Sequence, residues 1–139
     1  MRCWVLDTNV VVSGLLNPHG PSARVLDGVL DGRVRMVYDA RILAEYRDVL
    51  HRPRLKLKAE DSATFLEGLR GQMLVNPTAI TAIGPDPNDL IFVEAALASS
   101  DKTIVTGNLA DYPDEILNGT RVITPAQAAA ELVSEPRGG

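Results

Sequence analysis

This sequence has a single cysteine, no long hydrophobic run and no excess of positive charge, and each of these features excludes a class of protein. The one cysteine, Cys3, leaves no intramolecular disulfide, and its place in a short apolar run predicts a buried thiol. That run ends at Asp7 after about five residues, so we expect no signal peptide, and no window reaches the roughly 18 apolar residues of a membrane span. We therefore expect a soluble, cytoplasmic protein with no membrane partner.

The charge balance excludes a protein that holds nucleic acid through bulk positive charge. The chain has 14 lysines and arginines against 18 acids, a net charge of −4. A local basic patch remains compatible with this balance. The densest basic run is formed by Arg52, Arg54, Lys56 and Lys58. It predicts either a nucleic-acid contact or an ordinary solvated loop.

With 139 residues, 45% of them hydrophobic and 23% charged, the chain is typical of one globular domain. We expect this domain to span residues 1–133 and the tail 134–139 to be disordered. Apolar runs predict strands near residues 3–6, 34–38, 103–106 and 121–124, with a less defined strand at 75–83. Helical patterns predict helices at residues 10–16, 22–31, 40–51, 61–73, 87–98 and from 125 onward. Strands that alternate with helices predict an α/β fold with a parallel sheet.

The end of the first strand is the most informative position. The run from Cys3 to Leu6 is apolar throughout, as in a central parallel strand buried on both faces, and it stops at Asp7-Thr8-Asn9. Ligands of open α/β sheets bind outside the carboxyl ends of the strands. A buried acid there is costly without compensation, which favours a functional role for Asp7.

Glu45 is the next candidate. It lies in the predicted helix 40–51, and a helical wheel places it beside the apolar stripe of that helix, whereas Asp48 points away from the stripe. A simple ion pair between Glu45 and Arg41 is the structural alternative. We therefore rank Glu45 as the candidate for a site and Asp48 as a solvated acid.

Two more acids occur at helix or turn starts. Asp89 and Asp111 follow the possible N-cap residues Asp86 and Asn108 by three positions. An acid at that position stabilises a helix start, so capping and a site role both remain open.

Two alternative enzyme classes lack their residues. A dinucleotide-binding domain needs a glycine-rich turn after the first strand, and Asp7-Thr8-Asn9-Val10 contains no glycine. A phosphatase that used Asp7 as nucleophile would want a second acid two residues later, where this chain has Asn9.

Four ordered motifs resemble the PIN domain family, most closely the toxins of toxin–antitoxin pairs akin to VapC. The motifs are Asp7-Thr8-Asn9, the stretch 44–55, Asp86-Pro87-Asn88-Asp89 and Thr106-Gly107-Asn108. The resemblance covers residues 3 to about 132. It implies a three-layer α/β/α sandwich with a central, mostly parallel sheet, and metal-dependent RNA cleavage by a cluster of acids.

The resemblance also implies roles for single residues. Catalytic metal ligands would be Asp7, Glu45 and Asp89, with Asp111 as the fourth acid. Many relatives have an acid at the position of Asn108, so Asn108 and Asp111 both remain candidates for the fourth ligand. Supporting hydrogen bonds would come from Thr8, Asn9 and Thr106. Separately from the resemblance, an acidic pocket needs basic flanks to hold RNA, and Arg52, Arg54 and Lys56 of the basic run are the candidates for such contacts.

Oxygen ligands without cysteine or histidine suit Mg²⁺ or Mn²⁺, which can neutralise a phosphate and make water nucleophilic. The resemblance further implies an antitoxin partner and a homodimer, for which the apolar stripe of the helix 22–31 is a candidate surface. The alternative is a catalytically silent PIN-like module that binds RNA or protein without metal.

Overall fold

The computed structural model describes residues 1–79 and 87–133, except that the side chains of 87–89 are not described. Its five strands are β1 (Arg2–Leu6), β2 (Val34–Tyr38), β3 (Met73–Leu74), β4 (Thr103–Val105) and β5 (Arg121–Ile123). The helices of the described residues are α1 (Thr8–Leu16), α2 (Pro21–Leu30), α3 (Ala40–Leu50), α4 (Ala59–Gly68), α5 (Pro87–Leu97), α6 (Asp114–Leu117) and α7 (Pro125–Val133). None of these helices is long and apolar enough to cross a membrane.

The five strands form one sheet in the order β3-β2-β1-β4-β5, and every pair is parallel. From β1 the chain first builds the sheet towards β3 and then returns to add β4 and β5 on the other side. The strand order therefore reverses between β1 and β4, and a crevice forms at such a reversal, outside the carboxyl ends of the strands. Asp7 follows β1 and Thr106 follows β4, so both lie at this crevice.

The core confirms the predicted three-layer α/β/α architecture with its parallel sheet. Trp4, Val5 and Leu6 of β1 are fully buried, as expected for a central strand covered on both faces. The α2 layer contacts β2 and α7, while α5 packs across β1, β2 and β4. Cys3 is buried, as predicted.

The helix α2 begins earlier than predicted, and Ser22 is not its N-cap. The N-cap is Gly20 and Pro21 is the first helical residue. Proline suits this position because its φ is already helical and its missing N–H would have no partner there. The end of the helix is as predicted: Gly32 has a φ of +83°, and the Arg33 N–H bonds to the Gly28 carbonyl at 2.9 Å, which closes the helix.

The stripe of α2 that was a candidate dimer surface is used within the chain. Val25 and Leu26 are buried in the core. Leu30, the last residue of α2, is 83% exposed. The stripe is therefore buried in part and exposed at its end, and its role as a dimer surface stays a prediction.

The segment between α3 and β4 also departs from the prediction. The helix α4 begins at Ala59, not at 61 or 62, with Glu60 and Asp61 in its first turn, where acids favour the helix dipole. It ends at Gly68, short of the predicted 73. The strand of this region is Met73–Leu74, which pairs with Val37 and Tyr38, so the predicted strand at 75–83 is wrong for residues 75–79.

Some predictions fall outside the described residues. Residues 80–83, the proposed cap Asp86 and the tail 134–139 belong to this group, as does the side chain of Asp89. The backbone of α5, which carries position 89, begins at Pro87 as the sequence predicts.

Candidate active site

Asp7 is held at the reversal point of the sheet by bonds from β4 and from the turn after it. Its N–H donates to the Val105 carbonyl at 2.9 Å. Its side chain makes no capping hydrogen bond to α1, although Asp7 is the N-cap residue. Instead the hydroxyls of Thr106 and Tyr112 each donate to Oδ2 at 2.9 Å. The carboxylate is only 6% exposed, so these bonds supply much of its polar environment.

The surroundings of Asp7 make its ionised form more costly than in water when no cation is near. Burial raises the pKa of the Asp7 carboxyl above its usual value of 3.8, and the charge of Asp111 adds to the rise. Hydrogen bonds from Tyr112, Thr106 and the Thr8 backbone oppose it. A positive ion beside the carboxylate would relieve this cost, because an opposite charge favours the ionised form.

Asn9 and Thr106 join the ends of β1 and β4. The Gly107 N–H donates to Asn9 Oδ1 at 2.8 Å, and Asn9 Nδ2 donates to Thr106 Oγ1 at 3.4 Å. A Cβ on Gly107 would lie 3.2 Å from Asn9 Oδ1, so a glycine permits this close approach. Thr106 Oγ1 also accepts from the Asn108 N–H at 3.1 Å.

Glu45 reaches the same place from α3. It is half-buried, and its Oε2 accepts a hydrogen bond from the Thr8 hydroxyl. Asp48, one turn away, has a side chain that is 69% exposed and pairs with Arg52, as the helical wheel predicts for a solvated acid. The alternative partner Arg41 bonds to Asp39 at 2.9 Å and to Glu94 at 2.6 Å.

Asp7 and Glu45 open into one cleft, here called the Asp7 cleft, of about 700 Å³. Its lining residues are Asp7, Thr8, Asn9, Val12, Ser13, Leu16, Asn17, Glu45, Val49, Arg52 and Phe92. The Tyr46 hydroxyl lies beside this cleft. Burial raises the pKa of Tyr46 well above 10.0, and the negative charges of Asp7 and Glu45 add to that rise.

The turn after β4 carries the two candidates for a fourth ligand. Asp111 is half-buried in the 3₁₀ turn Leu109–Asp111, close enough to Asp7 for its charge to act on that carboxyl. Asn108 is exposed at the start of this turn and its side chain makes no capping hydrogen bond. It lines a second pocket of about 530 Å³ that meets the Asp7 cleft at Asn9 and Ser13.

The basic run lies beside the cleft. Arg52 lines the Asp7 cleft directly, and its Nη2 is 2.8 Å from Asp48. Arg54, Lys56 and Lys58 are exposed, and Lys56 lines a small pocket that it shares with Arg52. This side of the cleft therefore carries positive charge.

The donor set of the cleft fits a hard divalent cation. Carboxylate and amide oxygens line it, and neither cysteine nor histidine does so. Within residues 1–79 and 90–133, no three acidic, histidine or cysteine side chains form a complete metal-binding group. The third predicted ligand, Asp89, falls in the stretch whose side chains are not described.

Sequence reasoning missed two tyrosines. The Tyr112 hydroxyl bonds to Asp7 across 105 positions of sequence, and the hydroxyl of Tyr46, on the buried face of α3, donates to the Leu6 carbonyl at 2.5 Å. No local pattern signals either bond. The position of Tyr112 next to Asp111, in the turn of the fourth motif, is the one available hint.

Comparison with known proteins places the fold and the family. The chain is 27% identical to an uncharacterized protein of Methanocaldococcus jannaschii over 108 residues. This aligned region covers 75% of this chain and 69% of that protein. It superimposes on the crystal structure of VapBC2 from Rickettsia felis bound to a DNA fragment from their promoter, with a TM-score of 0.56 and 19% identity over 88% of this chain and 98% of that chain. Residues 4–110 match the PIN domain, so the chain belongs to the PIN domain family.

Proposed function

We propose that this protein is a metal-dependent endoribonuclease, the toxin of a toxin–antitoxin pair acting in the cytoplasm. The observation that carries the proposal is that two acids from different elements share one cleft at the reversal point of the sheet. Asp7 follows β1, and Glu45 lies in α3. The raised pKa of the Asp7 carboxyl supports a cation site, because burial and the nearby charge of Asp111 make its ionised form costly and a cation would relieve that cost.

Asp7, Glu45 and Asp89 would hold the Mg²⁺ or Mn²⁺ ion, with Asp111 or the amide oxygen of Asn108 as a further ligand. When bound, such an ion neutralises phosphate charge and lowers the pKa of water. Thr8 and Thr106 orient the two described carboxylates through their hydroxyls, and Asn9 fixes the ends of β1 and β4 relative to each other.

The substrate side of the proposal rests on charge. The cleft itself is acidic and would repel RNA in the absence of a cation. Arg52, Arg54 and Lys56 would bind backbone phosphates next to the reacting one and fix the register of the strand. Neutralising these residues should weaken RNA binding while leaving the affinity for the metal ion unchanged.

A protein partner and self-association complete the proposal. Because VapBC2 of Rickettsia felis shares the fold and is a complex, we propose an antitoxin partner for this chain as well. We also propose a homodimer, for which the exposed end of the α2 stripe at Leu30 is one candidate surface. Light scattering at micromolar concentration tests it, and a monomer there contradicts the dimer.

Two measurements on the full chain separate this function from a silent binding module. A nuclease should cleave single-stranded RNA with Mg²⁺ or Mn²⁺ and stop when EDTA is added, and both ions should raise its melting temperature. A silent module should bind RNA equally well with EDTA and release no fragments. Cleavage that persists in EDTA contradicts the metal-dependent mechanism.

A further inference from the structure

Among the described residues, two hydroxyl groups reach the Asp7 side chain, and both donate to the same carboxylate oxygen. Thr106 Oγ1 and Tyr112 Oη each lie 2.9 Å from Asp7 Oδ2, and no described side chain donates to Oδ1. All three residues are buried. A carboxylate held by two donors on one oxygen cannot rotate without breaking both bonds, so its orientation is fixed. The Thr8 backbone also bonds to this carboxylate, but no described side chain occupies Oδ1, which can therefore bind a cation.

The position of Tyr112 is itself fixed by its turn. Its N–H donates to the Leu109 carbonyl at 3.0 Å, which closes the turn that carries Asp111, and the residue is 5% exposed. Its hydroxyl therefore connects this turn to the end of β1. The connection sets the distance between two of the acids, Asp7 and Asp111.

We propose that Tyr112 is a positioning residue for the divalent cation, acting through the Asp7 carboxylate. Its hydroxyl keeps Oδ2 occupied and directs Oδ1 to the ion, so it contributes to metal affinity without touching the metal. The proposal rests on the proposed function, because it takes Asp7 as a ligand. Loss of such an outer hydrogen bond typically weakens metal binding about 10- to 100-fold.

The chain offers a matched control in Tyr46. This tyrosine is also buried beside the cleft, but its hydroxyl donates to the backbone carbonyl of Leu6, the residue before Asp7. Tyr46→Phe therefore removes the same atom from the same neighbourhood without changing any bond to a carboxylate. Tyr112→Phe and Tyr46→Phe should both cost some stability, whereas the first alone should cost metal affinity.

Isothermal titration of the metal-free full chain with Mn²⁺ tests the proposal. We expect Tyr112→Phe to bind Mn²⁺ about 10- to 100-fold more weakly than the wild type and Tyr46→Phe to bind it with near wild-type affinity. Melting of the metal-free proteins checks that both variants are folded at the temperature of the titration. If Tyr112→Phe is unfolded there, Thr106→Val, which removes the other donor to Oδ2, takes its place with the same expectation.

The outcomes distinguish this proposal from the one it rests on. If the wild type binds Mn²⁺ and Tyr112→Phe binds it equally well, the role of Tyr112 is wrong and the proposed function stands. Equal losses in both tyrosine variants also overturn the role, because they indicate a general packing effect. If the wild type binds no Mn²⁺, the proposed function fails and takes this inference with it.

Discussion

Arg41 of α3 donates to Glu94 of α5 at 2.6 Å, and so joins the helix that carries Glu45 to the helix that carries position 89. The same guanidinium bonds to Asp39, which caps α3 by accepting from the Ile42 N–H at 3.0 Å. One ion-pair network outside the cleft therefore connects α3 and α5, the two helices that carry the proposed metal ligands Glu45 and Asp89.

Arg41→Ala should destabilise the protein by about 2 kcal/mol, because it removes the guanidinium that pairs with the buried Asp39 and the largely buried Glu94. Arg47→Ala is the matched control: Arg47 lies on the same helix and is exposed, so its loss should change the free energy of unfolding by less than about 0.5 kcal/mol. Urea denaturation measures both, and equal values would mean that the network contributes nothing.

Asp7→Asn should leave the metal-free protein as stable as the wild type or more stable, since it removes one charge from a cleft of repelling acids. The pH dependence follows from the same cause. Because the pKa of Asp7 is raised in the folded state, the folded protein binds a proton more readily than the unfolded chain. The metal-free wild type should therefore gain stability as the pH falls through the raised pKa towards 3.8, with no further gain from Asp7 below that value.

Melting curves of the metal-free wild type and of Asp7→Asn across that pH range check the prediction. The difference between the two proteins isolates Asp7 from the other acids. A large drop in melting temperature for Asp7→Asn at neutral pH would mean that this carboxylate holds the fold together.

The parts of the fold that follow from local pattern were predictable, and the parts that depend on long-range contacts were not. The central strand β1 and the acid that ends it could be found because a strand buried on both faces is apolar throughout. The roles of Glu45 and Asp48 could be distinguished because helical periodicity decides which of the two lies beside the buried face of α3 and which points into solvent.

The features that the sequence did not predict correctly also have physical explanations. The strand Met73–Leu74 has two residues and is specified by its pairing with β2, so no alternation marks it in the sequence. The Tyr112 bond to Asp7 depends on β4 lying beside β1, which only the assembled sheet provides. The start of α2 was misplaced because Ser22 fits an N-cap as well as Pro21 fits the first turn.

Substitutions of Asn108 and Asp111 can decide which of these two residues is the fourth metal ligand. A neutral amide oxygen lacks the charge of a carboxylate, so Asn108→Asp should strengthen Mn²⁺ binding, and Asp111→Asn should slow RNA cleavage less than Asp7→Asn does. Asn76→Asp, an exposed site outside both pockets, controls for added negative charge. Unchanged affinity in Asn108→Asp would place that residue outside the metal site.

The packing of α1 on α2, which sets one wall of the cleft, depends on Gly14. A Cβ at this position would lie 2.5 Å from Leu26 Cδ1 and 3.2 Å from the Ser22 carbonyl oxygen. Gly14→Ala should therefore destabilise the protein by about 1–3 kcal/mol. Gly68→Ala meets no atom within 4 Å and should stabilise it by about 0.4–1 kcal/mol. Thermal melting with the opposite signs would contradict this packing.

The most direct test of the central claim is the rate of single-stranded RNA cleavage with Mn²⁺ by the wild type, Asp7→Asn and Glu45→Gln. Asp27→Asn, an exposed acid of α2 away from the cleft, is the control. We predict at least a 100-fold loss for the two cleft variants, as for removal of groups that stabilise developing charge at an active site, and a wild-type rate for the control. Undiminished cleavage by Asp7→Asn or by Glu45→Gln would contradict the assignment of the Asp7 cleft as the active site.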